Sequence, residues 1–124
     1  MQSVQVHELS LAEHALAIIE EAAQREGFRR VHRVRVEVGC LSYVQPEALR
    51  FAFATVSSGT CADGAVLEIL QTPGEGECPR CLIRLPMDTE PGWCPSCDRS
   101  PLRVVGGTRM TVRDLDVGVT AEQP

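Results

Sequence analysis

Two pairs of cysteines constrain this chain more than any other feature. Cys78, Cys81, Cys94 and Cys97 follow the spacing C-x2-C-x12-C-x2-C within ECPRCLIRLPMDTEPGWCPSC, residues 77–97. A C-x2-C turn brings two sulfurs to one side of a tight loop. Two such loops facing each other supply a tetrahedral four-sulfur site with metal–sulfur bonds of about 2.3 Å. The apolar residues around them, Leu82, Ile83, Leu85, Met87 and Trp93, are too few to bury a core. Bound zinc is the expected source of stability, on the order of 10 kcal/mol or more in small finger peptides. Four cysteinates also close the coordination shell. No position is left for water or substrate, so the expected role is structural and not hydrolytic. Zinc is the default ion, and iron is the alternative that the same shell accepts.

Composition narrows the class. The chain has 124 residues, enough for one compact domain or one domain with a small insert. One Trp, one Tyr and three Phe imply a mostly aliphatic core. No apolar run approaches the ~18 residues needed to cross a bilayer. MQSVQVHELS has neither a basic n-region nor an apolar h-region. A cytoplasmic location is therefore expected, where thiols stay reduced and paired cysteines read as a metal site. The net charge of −5 argues against nucleic acid as a partner. Within residues 73–100 the acidic Glu75, Glu77, Asp88, Glu90 and Asp98 outnumber Arg80, Arg84 and Arg99, so the cysteine module is a poor phosphate binder too.

The rest of the chain reads as alternating elements. LSLAEHALAIIEEAAQREG predicts an amphipathic helix with Leu11, Ala15, Ile18, Ile19 and Ala22 on its apolar stripe. Ser10 and Glu13 fit a capping box at its start, and Gly27 a left-handed cap at its end. VHRVRVEVG predicts a half-buried strand, with Val34, Val36 and Val38 inward. Pro46 opens a second helix, with Leu49, Phe53 and Val56 on its apolar side. AVLEIL is a short strand. PLRVVGGTRMTVRDLDV reads as one further strand-like stretch whose alternation slips near Arg113-Asp114. The expected class is α+β: a small two-layer fold with two helices on one face of a sheet, plus an inserted zinc-ribbon module. The expected domains are a discontinuous α/β domain, residues 1–72 and 101–124, and a ribbon, residues 73–100.

Histidine is the other metal donor in supply. His32 reads as a core or edge residue of the first strand, His14 as a solvated helix residue, and His7 as a lone imidazole before the helix, next to Glu8. Cys40 and Cys61 read as buried small hydrophobes.

HELSLAEHALAIIEEAA, VEVGCLSYVQPEALRFAF, SGTCADGAVLEI and the two cysteine pairs, in that order, resemble the HypA/HybF family of hydrogenase nickel-incorporation proteins. The likeness runs from residue 7 to about residue 117. It implies a metallochaperone and not an enzyme, with structural Zn(II) on Cys78, Cys81, Cys94 and Cys97 and transferable Ni(II) at the amino end. There His7 would supply the imidazole ligand, with Glu8 beside it. The implied partners are a HypB-like hydrogenase-maturation GTPase and the precursor of the hydrogenase large subunit, with neither nucleic acid nor membrane. Nickel(II) accepts tetragonal nitrogen donors, which an amine, backbone amides and one imidazole can supply. Two departures from the family pattern stand out. Six residues precede His7, and a start at position 6, with Val6 written from an alternative start codon, would restore the usual chelate. Gln45 stands in the loop where the family often has an acidic residue. Without the resemblance, the runner-up reading is a zinc-ribbon interaction module with no metal-transfer role.

Overall fold

The computed structural model describes residues 2–90 and 92–117, with side chains from His7 onward. The tail beyond residue 117 lies outside the described residues. Among the described residues, two α-helices and two three-stranded sheets form the α+β fold. The elements are α1 (Gln2–Glu26), β1 (Arg33–Gly39), a 3-10 turn (Cys40–Ser42), α2 (Pro46–Ser57), β2 (Val66–Thr72), β3 (Gly74–Glu77), β4 (Arg84–Met87), β5 (Arg103–Gly106) and β6 (Met110–Asp116). The sheets have the strand orders β2-β1-β6 and β4-β3-β5. The chain divides into two compact units. One contains the chain up to Val36, Val44–Leu70 and the chain from Thr111; the other contains Glu37–Tyr43 and Gln71–Met110.

The first unit carries a mostly aliphatic core, as the scarcity of aromatics requires. Ala12, Ala15, Ile19, Val34, Val36, Leu49, Ala52 and Phe53 are all buried. Helix α2 begins at Pro46, whose missing N–H costs nothing at a first helical position. Along β1, Val34 and Val36 are buried while Arg33 and Arg35 face outward. The outward arginines are paired: Arg33 with Glu68 at 2.5 Å, and Arg35 with Glu68 at 3.0 Å and with Asp114 at 2.6 Å. Hydrogen bonding and charge from Asp114 raise the pKa of Arg35 above its usual value. The chain returns after the cysteine module to place β6 beside β1. Alternation along β6 slips where expected, with Arg113 and Asp114 both exposed.

Several local expectations need correction. Helix α1 runs from Gln2, so Ser10 and Glu13 lie in its interior and form no capping box. His7 is likewise inside the helix and not before it. The buried line is Glu8, Ala12, Ala15 and Ile19, and Ile18 is 38% exposed. Ala15 and Ile19 of the expected stripe are buried, and the buried line is rotated from it by about half of the roughly 100° between neighbours, toward Glu8 and Ala12. His32 is exposed and precedes β1; its backbone is held, donating to Asp116 and accepting from Val66, and its ring is not in the core. Cys40 and Cys61 are half-buried, and burial pushes the Cys61 thiol up. The stretch after the cysteines is two strands, broken at Gly107, where φ is +85°.

The second unit contains a strand that hydrophobic pattern could not reveal. GEGE forms β3, the central strand, antiparallel to both β4 and β5. Its glycines are buried because other groups occupy the space of a side chain. A Cβ on Gly74 would collide with Leu41 and with the Met87 carbonyl, and one on Gly39 would overlap the backbone of Gly107. Backbone therefore passes backbone at contact distance here, which only glycine permits. We expect Gly39→Ala to lower unfolding free energy by about 2 kcal/mol or more, as overpacking does. Chemical denaturation measures this, and wild-type stability would show that the crossing can relax.

Candidate metal centre

Each cysteine pair is presented by the same local structure. In the first knuckle the Cys78 N–H donates to Ile83 at 3.0 Å, and the Leu82 N–H donates back to the Cys78 carbonyl at 2.8 Å. In the second the Cys94 N–H donates to Ser100 at 3.1 Å, and the Asp98 N–H donates back to the Cys94 carbonyl at 2.8 Å. Leu82 and Asp98, each following the second cysteine of its pair, have φ of +59° and +55°. That conformation reverses the chain so that both sulfurs of a pair point the same way. It costs a residue with a Cβ about 1–2 kcal/mol, so something must hold it.

The sulfurs converge. Cys78 Sγ lies 3.8 Å from Cys97 Sγ, and Cys94 Sγ lies 3.9 Å from Cys81 Sγ. All four are within 4.8 Å of one another. A tetrahedron with bonds of about 2.3 Å has edges of about 3.8 Å, so the four donors are spaced as a tetrathiolate shell requires. Cys78 and Cys94 are fully buried. Donor type, donor number and spacing all fit Zn(II) held by Cys78, Cys81, Cys94 and Cys97. When bound, the ion supplies charge neutralisation and cross-linking of the two knuckles. The protein supplies one N–H directly, from Cys81 to Cys78 Sγ at 3.3 Å.

That N–H is the chief reason the Cys78 thiol is lowered to about 6. Burial, followed by hydrogen bonding among the sulfurs, pushes Cys81 up to about 12. One thiolate is thus ready at neutral pH, and another donor must lose its proton to the incoming ion.

The other residues singled out from the sequence are not gathered there. His7, His14 and His32 are exposed. Glu8 is fully buried; its Oε2 accepts the Gln45 N–H at 2.6 Å. Among the described residues, the cysteines are the one group of three or more His, Cys, Asp or Glu close enough to hold an ion. The burial of Glu8 escaped the sequence reading, although its spacing from Ala12 and Ala15 carries the signal.

The family described as "Hydrogenase/urease nickel incorporation, metallochaperone, hypA" matches residues 6–117. The chain is similar to the hydrogenase maturation factor HypA of Dechloromonas aromatica, 43% identical over 112 residues, covering 90% of this chain and 99% of that one. It is 45% identical over 112 residues to the factor of the same name from Albidiferax ferrireducens, with the same coverage. Its fold matches the solution structure of the Ni metallochaperone HypA from Helicobacter pylori, with a TM-score of 0.68 and 24% identity over 89% of this chain and 96% of that one.

Two expectations follow from the centre. Replacing Cys78 with Ser opens the shell. It should abolish tight zinc retention and lower the thermal stability of the second unit, read by metal analysis and by amide exchange in β3; retention of one zinc per chain would contradict the assignment. Zinc affinity should also fall with pH. Because Cys81 is protonated in the metal-free site at neutral pH, binding releases at least one proton. Affinity should drop about tenfold or more from pH 7 to pH 6, and more steeply below, where Cys78 also takes up a proton. A competing chromophoric chelator reads this, and a flat profile would contradict it.

Proposed function

The chain belongs to the HypA family of nickel-incorporation metallochaperones that serve hydrogenase maturation, and from that premise we propose that it holds Ni(II) at its amino end, through the imidazole of His7, and delivers it to the hydrogenase large-subunit precursor. In this reading Zn(II) on the four cysteines is structural and is not passed on. A HypB-like GTPase is the proposed partner in delivery.

The observation that carries this reading is the division of donors. The four thiols are closed on one another, which suits permanent retention. The His7 ring is exposed on α1, one residue after the family match begins. Soft sulfur donors retain zinc; a borderline nitrogen exposed in the second turn of α1 gives nickel an accessible, exchangeable site. Amides beyond the first four of a helix donate to carbonyls within it. Nickel drawing on the amides of Val6, His7 or Glu8 would therefore free the carbonyls of the turn ahead of His7, and re-forming those hydrogen bonds would favour release. Gln45, at the start of α2, has no carboxylate to offer.

Titration with Ni(II), accompanied by metal analysis, tests the site. Wild type should bind one nickel reversibly and retain one zinc. His7→Ala should lose nickel binding while keeping zinc and wild-type thermal stability. An unchanged nickel isotherm in that variant would overturn the assignment.

A further inference from the structure

The buried line of α1 contains one residue whose chemistry does not suit it. Glu8 occupies the core-facing position four residues before Ala12 and seven before Ala15, and it is 0% exposed. Burying a carboxyl group is costly unless it is hydrogen-bonded. Oε2 accepts the Gln45 N–H at 2.6 Å. Gln45 is the N-cap of α2: its carbonyl accepts the Leu49 N–H at 3.0 Å, and its side chain makes no cap bond. Oε1 is also enclosed, without a hydrogen-bond partner among the described residues. The amino end of a helix carries unsatisfied N–H groups and partial positive charge. The start of α2 is thus capped by a side chain from α1 and not by its own.

We propose that Glu8 is a positioning residue for the nickel end. Its Oε2 latches the turn of α1 that bears His7 onto the amino end of α2, and its carboxyl group does not bind the metal. This rests on the reading that His7 carries nickel. Neighbouring helix residues project about 100° apart. Fixing Glu8 inward therefore fixes the exposed His7 ring outward, at a set rotation of α1. A metal ligand needs a free oxygen facing the ion; one oxygen of Glu8 is engaged by Gln45 and the other is enclosed.

The test compares wild type, Glu8→Ala and Glu8→Gln by nickel titration, Ni(II) absorption spectrum and exchange of the Gln45 amide. Glu8→Ala should bind nickel about three- to tenfold more weakly with unchanged absorption bands, and its Gln45 amide should exchange about tenfold faster or more, as expected for one lost hydrogen bond. Glu8→Gln keeps an oxygen that accepts the Gln45 N–H, so it should restore amide protection, nickel affinity and spectrum. Loss of nickel or shifted bands in Glu8→Gln with Gln45 still protected would overturn the proposal in favour of a ligand role. Wild-type amide exchange in Glu8→Ala would overturn it as well. If Glu8→Ala fails to fold, Glu8→Gln decides by the same criteria. If wild type itself takes up no nickel, the His7 reading fails on its own; faster Gln45 exchange in Glu8→Ala then upholds the latch, and unchanged exchange overturns it.

Discussion

Convergence of four sulfurs is the constraint on which the second unit rests. Among its described residues the buried apolar side chains are Val38, Leu41 and Met87, joined by Cys78 and Cys94. So small an apolar set does not secure a fold by burial alone. The unit also holds Leu82 and Asp98 in a left-handed conformation, and Leu82, 75% exposed, gains no burial in return. Sulfurs spaced 3.8 and 3.9 Å apart would repel one another as thiolates. A dication removes that repulsion and ties the knuckles together, so metal binding and local folding become one equilibrium.

The first unit obeys a different rule. Its stability comes from Ile19, Val34, Val36, Leu49 and Phe53 packed in a mostly aliphatic core. Its core contains none of the four clustered cysteines. In the proposed function, donor chemistry separates a permanent ion from a transient one. The four sulfurs are closed on one another, whereas the His7 imidazole, the proposed nickel donor, is exposed on α1. Glu8 joins α1 to the start of α2, a polar contact inside an otherwise apolar packing line.

Much of this was legible in the sequence. The C-x2-C spacing announced the sulfur cluster because short knuckles leave two sulfurs few ways to point. Pro46 marked the start of α2, and the valines of β1 announced its buried face. Three features were hidden, each for a physical reason. GEGE gives no strand signal, since β3 is specified by what packs onto its glycines and not by its own side chains. PLRVVGGTRMTVRDLDV read as one strand because both halves are β-favouring; the break at Gly107 follows from β5 pairing with β3, a long-range fact. The family resemblance sets Glu8 beside His7, and the sequence carries no sign of its hydrogen bond to Gln45. In a helix adjacency separates side chains, and the contact that matters spans 37 residues to Gln45.

The proposed function requires two ions with unequal tenure on one chain. Native mass spectrometry of the full-length protein, loaded with Ni(II) and then washed with a moderate chelator, tests this most directly. The expected spectrum shows one zinc and one nickel before the wash, and zinc alone after it. Loss of both ions together, or no nickel in the loaded protein, would contradict it.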